Sequence, residues 1–234
     1  MEQEEKKFDI AEVVTRNRFL SKVYLWMTLA LSISGGVAIL TANSQKMLST
    51  LFANGGMGFI ILCILEIVIV SFLSLRIRKI SAVAATIGFV IYSVINGLTL
   101  SSIFLVYQFT SIVQVFFISA AMFLAMAIYG SITKSKLTSF GRYFSMALIG
   151  TVIAIVVNIF LKSQTLDIII SIVSVVIFTG LTAFDAQKLA KASENAENQE
   201  EDVFTKAAVI GALELYLDFI NIFLSLLRLF GRRK

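Results

Sequence analysis

Histidine and proline are both absent from this 234-residue chain, and cysteine occurs once, at Cys63. Without histidine, the usual side chain for sensing pH near neutrality is missing, so any pH response has to come from carboxylates or from tyrosine, lysine or cysteine. Zinc sites of the HExxH type are excluded. A single cysteine cannot form an intramolecular disulfide. Without proline, breaks in helices have to come from glycine or from unwound segments.

Charged residues are scarce as well: 15% of the chain is charged and 58% is hydrophobic, whereas soluble domains carry about 25% charged residues. Apolar runs recur along most of the chain and leave no room for a soluble domain. The sequence therefore predicts an all-α polytopic protein whose main partner is the lipid bilayer. The net charge of +5 is expected to reflect the placement of basic loops relative to the membrane, and it does not indicate a nucleic-acid partner. Hydropathy predicts seven spans, at residues 23–42, 58–75, 82–107, 112–133, 143–161, 166–184 and 207–230.

Three parts of the chain follow from this pattern. Residues 1–22 mix acids and bases and are expected to form a cytosolic amphipathic helix at the membrane surface. Residues 23–231 are expected to form a single seven-helix membrane domain, and residues 232–234 a basic tail. Asn54-Gly55-Gly56 predicts a turn ahead of the second span.

The distribution of lysine and arginine predicts the orientation of the chain. Basic residues concentrate in the predicted loops 76–81, 134–142 and 185–206, which places the amino terminus in the cytosol. Seven spans then leave the basic residues 232–234 outside. Either the earlier loops dominate, or the last helix does not fully cross, and both interpretations stay open at this point.

Polar side chains of the last span lie on one face of its helix, at intervals of three and four residues. A charge at the bilayer centre costs about 3 kcal/mol on insertion scales. Glu214 and Asp218 are therefore expected to face protein or water, with the last helix at the centre of the bundle. The polar face comprises Gly211, Glu214, Asp218, Asn221, Ser225 and Arg228.

Span six has a polar face of its own, and span two carries Glu66 near its middle. The two polar faces of spans six and seven, turned toward each other, would line a path across the membrane. Asp185 is expected to close span six at its cytosolic end, and Asn96 and Asn158 to form hydrogen bonds between helices. The face of span six comprises Asp167, Ser171, Ser174, Thr182 and Asp185.

An ion pathway is the functional interpretation of these acids. Carboxylates held close together in a low dielectric cannot all ionise easily, so protonation is expected to change the charge and hydrogen bonding of the path. Carboxylate oxygens suit hard cations such as calcium, and two or three are enough for a weak calcium site at Asp185 and Asp218 that lets the ion through. The structural alternative is that the acids pair with Arg76, Arg78 or Arg228 and only specify helix packing.

Enzymatic chemistry has little support in the sequence. Gly-x-Ser-x-Gly and Walker sequences are absent. An intramembrane aspartyl protease needs two aspartates at mid-membrane depth, and Asp185 is expected at a helix end. The sequence therefore predicts no enzyme and no cofactor, with calcium as the permeant ion.

Two segments, TGLTAFDAQKLA at 179–190 and LELYLDFINIFLSLLRLFG at 213–231, resemble the Bax inhibitor (transmembrane Bax-inhibitor-motif) family, and the chain looks like a bacterial member of the cytoplasmic membrane. The resemblance implies two three-helix layers around a central carboxy-terminal helix and a pH-sensitive calcium leak. It implies that Asp185 and Asp218 form the pH sensor, that Arg76 or Arg78 latches the closed state, and that Glu66 is the family's span-two acid.

Two other functions remain open at the level of the sequence. Some bacterial relatives are thought to restrain a membrane-anchored ATP-dependent protease, in which case the amino-terminal segment and the 186–206 loop should matter most. A proton-coupled cation antiporter is the second alternative, because buried acids also serve as proton relays.

Overall fold

The computed structural model describes residues 2–76, 79–194 and 200–234, with the backbone alone described for 2–16 and 54. Seven segments of the described chain are long and apolar enough to cross a membrane, which confirms the predicted all-α polytopic fold and its seven spans. Span three consists of α3 and α4 together, and the other six spans are carried by one helix each. The helices are α1 (Glu2–Ala42), α2 (Gln45–Arg76), α3 (Ala82–Leu100), α4 (Ile103–Val106), α5 (Phe109–Ile132), α6 (Thr138–Leu161), α7 (Gln164–Glu194) and α8 (Glu201–Phe230).

Helix α1 continues from the predicted amphipathic segment into the first span without a break. The location of residues 1–22 at the membrane surface stays a prediction. Helix α2 contains Gly55 and Gly56 with positive φ angles of 72° and 82°, a conformation that glycine adopts without steric cost. These two residues interrupt the regular helix at the predicted turn, and the membrane-spanning part of α2 begins at Gly55.

Helix α7 is three turns longer than the sequence predicted. It ends at Glu194, so Asp185 lies in the interior of a helix and not at its end. The predicted 185–206 loop shortens accordingly, because α8 begins at Glu201; residues 195–199 lie outside the described residues. Hydropathy missed the extension because polar residues such as Gln187 and Lys188 interrupt the apolar run while their side chains bond to other parts of the protein.

Two compact units make up the chain: Met1–Val106, Ser193–Leu213 and Lys234 form the first, and Tyr107–Ala192 with Glu214–Arg233 the second. Close helix contacts hold the first unit together. A Cβ atom added at Gly97 of α3 would lie 2.7 Å from the carbonyl oxygen of Ser34 in α1. The Ser34 hydroxyl donates a hydrogen bond to the Ser93 carbonyl at 2.8 Å. Small residues therefore let α1 and α3 approach closely, as in other membrane helix pairs.

The second unit joins α5, α6 and α7 to the carboxy-terminal part of α8. A Cβ atom added at Gly130 of α5 would collide with the backbone of Ala183 in α7. Phe219 of α8 packs edge-to-face against Phe116 and Phe123 of α5, with ring centroids 5.4 and 5.8 Å apart. These contacts fix the rotation of α8 about its axis. Of the seven spans, α8 is the most buried and α2 and α6 are the least buried.

Residues 232–234 are paired by backbone hydrogen bonds with the segment that precedes α5. The Gln108 amide donates to the Arg232 carbonyl at 2.9 Å, and Tyr107 and Arg233 form a single antiparallel bridge. The Arg232 amide also donates to the Ser111 hydroxyl at 2.9 Å. Helix α8 therefore reaches the end of the second unit at which α5 begins, which favours a full crossing by the last helix.

Candidate functional site

The polar faces of α7 and α8 lie against each other in the second unit, as the sequence predicted. Contacts join them along much of their length. Lys188 contacts Glu214 at one end, and Thr182 lies beside the Asp218 carboxyl group further along. At the other end Arg228 Nη1 lies 3.9 Å from Asp167 Oδ1. Residue numbers rise along α7 as they fall along α8, so the two helices are antiparallel.

Asp218 is the most enclosed acid on this face. Its side chain is 4% exposed, and its Oδ2 atom is buried without a hydrogen-bond partner within the described part of the chain. Asp185 and Glu214 act on it electrostatically as like charges. A buried carboxylate oxygen with no donor is costly, so Asp218 is the residue whose environment depends most on protonation or on a bound cation.

Asp185 and Glu214 complete a group of three acids with Asp218, which we call the carboxylate cluster. Asp185 lies on α7, half-buried, and Glu214 acts on it electrostatically. Glu214 precedes Asp218 by one helical turn and is 32% exposed. The three acids that the sequence selected in spans six and seven therefore interact electrostatically with one another.

Lys188 is the member of this site that sequence reasoning missed. Its ammonium group donates hydrogen bonds to both carboxylate oxygens of Glu214, at 2.7 and 2.9 Å. The hydropathy pattern placed Lys188 in the predicted 185–206 loop, where a lysine indicates the cytosolic side. The available signal was the spacing Asp185-x-x-Lys188, which places both side chains on one face once α7 is known to continue.

Gln187 fixes the same stretch of α7 to the connection between α5 and α6. Its side-chain oxygen accepts from the Leu137 amide at 3.0 Å, and its side-chain nitrogen donates to the Ser135 carbonyl at 2.7 Å. Lys191 donates to the same side-chain oxygen at 3.3 Å. A buried side chain with this many partners holds its helix in place, so Gln187 fixes the stretch of α7 that carries Asp185 and Lys188.

Glu66 lies in the first unit, on α2, and is half-buried. Its Oε1 atom accepts a hydrogen bond from Asn96 of α3 at 3.3 Å and another from the Thr99 hydroxyl. This confirms the predicted bond between helices for Asn96. Asn158 differs from the prediction, because its Oδ1 atom accepts from the Ser163 amide at 3.0 Å just beyond the end of its own helix. A left-handed Lys162 at the end of α6 brings Ser163 back over the last turn.

The arginine latch and the metal site stay predictions. Arg76 is the last residue of α2 and is exposed, and Arg78 lies outside the described residues. Among the residues described, no three acidic or cysteine side chains are grouped closely enough to hold a metal ion. A calcium site at these positions would rest on two carboxylates, those of Asp185 and Asp218.

Comparison with known proteins decides the family. The family model described as "Inhibitor of apoptosis-promoting Bax1" matches residues 16–234. The chain belongs to the Bax inhibitor family. The inner membrane protein YbhL of Escherichia coli is 44% identical over 216 residues, which are 92% of each chain. A protein of Borreliella burgdorferi is 42% identical over 223 residues, which are 95% of each chain.

Membership of the Bax inhibitor family confirms the resemblance found at the last two spans and agrees with the seven apolar helices. A membrane protein of Streptococcus pyogenes, 38% identical over 92% of this chain and 93% of its own, extends the similarity to another bacterium. The protein is thus a multi-pass membrane protein of the family, similar over nearly its whole length to one named for the inner membrane.

Proposed function

We propose that this Bax inhibitor family protein is a pH-sensitive calcium leak channel of the bacterial cytoplasmic membrane. The observation that carries the proposal is Asp218, an acid inside a membrane-spanning helix whose Oδ2 atom is buried without a hydrogen-bond partner in the described chain. Acids at such depth are costly and usually serve ion or proton movement. Asp185 and Glu214 act on Asp218 as like charges, which adds repulsion to the free-energy cost of burying its carboxylate.

Protonation of the carboxylate cluster is the switch in this proposal. Asp185 and Asp218 are close enough to interact, so protons are gained and lost by the pair as one unit. A proton on one aspartate removes a like-charge repulsion and turns an acceptor into a donor. The channel opens or closes as α8 adjusts its contacts with α7 to this change, and Arg76 or Arg78 latches the closed state.

Calcium fits the ligands that line the path. Carboxylate and hydroxyl oxygens from Asp185, Asp218 and Thr182 are hard ligands of the kind that calcium prefers. Two carboxylates hold the ion weakly, and weak binding allows it to leave on the far side.

The amino terminus is cytosolic in this proposal. Basic residues in the 76–81 and 134–142 connections follow the positive-inside rule. Residues 232–234 pair with the segment before α5, which is then on the outer side. The earlier loops therefore dominate the orientation, and the basic tail is the exception.

Calcium flux into liposomes tests the proposal. The purified full-length protein is reconstituted with an enclosed calcium dye, and flux is measured from pH 6 to pH 8 for wild type, Asp185→Asn and Asp218→Asn. We expect wild type to conduct with a pH dependence that both variants lose. Asp202→Asn is the matched control, because its Oδ1 atom accepts from the Ala82 amide at 3.0 Å in the first unit and an asparagine oxygen can replace it.

Two results would contradict the calcium leak. Silence of wild type and variants across the whole pH range would exclude an ion path and direct attention to a membrane-protease partner. Flux that stops when the proton gradient is removed would favour a proton-coupled antiporter over a leak.

A further inference from the structure

Lys188 is half-exposed at the edge of the carboxylate cluster. Its side chain is 50% exposed, and it shares two hydrogen bonds with Glu214, which is 32% exposed. Lys188 also interacts electrostatically with Asp185, one turn earlier on its own helix, and with Asp218 on α8. The ammonium group of Lys188 therefore interacts with all three acids of the carboxylate cluster.

Other groups near Lys188 do not replace its charge. Lys191, one turn further along α7, donates to the side-chain oxygen of Gln187. Gln187 itself is neutral and bonds to the connection after α5. Thr182 is a neutral hydroxyl beside Asp218. Among the described residues of α7 and α8, Lys188 is thus the cation that interacts with the acids of the carboxylate cluster.

We propose that Lys188 is the tethered counter-ion of the carboxylate cluster and that it sets how strongly the cluster attracts a mobile divalent cation. The inference rests on the proposed cation path. An ammonium among acids lowers the negative potential that a free cation meets. A cation arriving at Asp185 and Asp218 competes with a positive charge that is covalently held and cannot diffuse away.

A purely structural ion pair is the alternative, and it makes a different prediction. If Lys188 and Glu214 only hold α7 against α8, loss of either partner should change the calcium affinity of the site in the same direction. If the charge of Lys188 matters, loss of Lys188 should raise the calcium affinity and loss of Glu214 should lower it. Removing both partners together removes the pair without changing the total charge of the site.

Calcium binding to the purified full-length protein in lipid nanodiscs distinguishes the two. Isothermal titration with calcium chloride at pH 7.5 is expected to give Lys188→Met a roughly threefold to tenfold higher affinity than wild type. Glu214→Gln should bind more weakly than wild type by a similar factor. The double variant Lys188→Met/Glu214→Gln and the charge-preserving Lys188→Arg should both bind close to wild type.

Lys191→Met is the matched control, because it removes the same charge from the same helix outside the cluster. Thermal unfolding of each variant checks that the fold is kept. Equal shifts in Lys188→Met and Lys191→Met, shifts of Lys188→Met and Glu214→Gln in one direction, or no calcium binding by any variant would each overturn the proposal. If the expected order of affinities is found while liposomes containing wild type stay silent, the assignment of Lys188 stands and the leak channel does not.

Discussion

The hydroxyl of Thr182 on α7 lies beside the carboxyl group of Asp218 on α8 and donates a hydrogen bond to the Phe178 carbonyl of its own helix at 2.7 Å. One turn earlier on α7, Thr179 also has a buried hydroxyl oxygen, but this oxygen has no hydrogen-bond partner in the described chain. The two threonines are therefore alike in chemistry and helix and differ in whether the hydroxyl is used. Replacing each threonine by valine therefore compares a bonded hydroxyl with an unbonded one on the same helix.

Thr182→Val is expected to lower the free energy of unfolding by about 1–3 kcal/mol, because it removes the hydrogen bond to the Phe178 carbonyl and takes a polar hydroxyl away from the buried Asp218 carboxyl group. Unfolding by sodium dodecyl sulfate in mixed micelles measures the change. Thr179→Val, with the same change in shape, should be neutral or stabilising, since its hydroxyl is buried without a partner. Equal losses in both variants would show that the Thr182 hydroxyl beside Asp218 contributes nothing specific to stability.

Gly130→Ala is expected to destabilise the second unit strongly. The added Cβ atom would collide with the backbone of Ala183, so α5 and α7 have to separate, and overpacking of this kind costs about 1–3 kcal/mol. Gly150→Ala on α6 is the control, because among the described residues no atom beyond its own helix lies within 4 Å of a Cβ atom there. The melting temperature in detergent should fall for the first variant and stay unchanged or rise for the second. A melting temperature that stays constant in Gly130→Ala would contradict the close contact of α5 and α7.

Labelling of single cysteines tests the location of the carboxy-terminal tail. In a Cys63→Ser background, Arg233→Cys is expected to react with a membrane-impermeant maleimide from outside intact cells, because Arg233 pairs with Tyr107 ahead of α5. Lys136→Cys, in the connection between α5 and α6, should react only after the cells are opened. Protection of both positions, or labelling of both, would contradict the crossing of α8 and the proposed orientation.

Glu66 allows a test of charge against hydrogen bonding in the first unit. Glu66→Gln keeps an oxygen that can accept from Asn96 and Thr99, so thermal stability should stay close to that of wild type. Glu66→Leu removes the acceptor and should lower the melting temperature, because two polar groups of α3 lose this partner. A stable Glu66→Leu variant would indicate that these hydrogen bonds add little to the contact of α2 with α3.

Hydropathy and helical periodicity were enough to predict the membrane class, the seven spans and the polar faces of spans six and seven. These properties are local: an apolar run has to be long enough for the bilayer, and residues three and four apart share a face of a helix. For the same reason, Asp185, Glu214, Asp218 and Glu66 could be selected as candidate acids of the path from the sequence, whereas Glu66 lies in the first unit and the other three in the second. The motif segments at 179–190 and 213–231 also led to the correct family.

The tertiary structure decided which charged side chains of α7 and α8 form ion pairs. Lys188 contacts Glu214, and Arg228 approaches Asp167, because the antiparallel register of α7 and α8 brings these positions to the same height, and no spacing within one helix encodes that register. The extension of α7 beyond residue 184 was also hidden from hydropathy, since it depends on partners for Gln187 in the 133–137 connection. Lys188, which the sequence pattern placed in a loop, contacts Glu214 because α8 brings this acid beside α7.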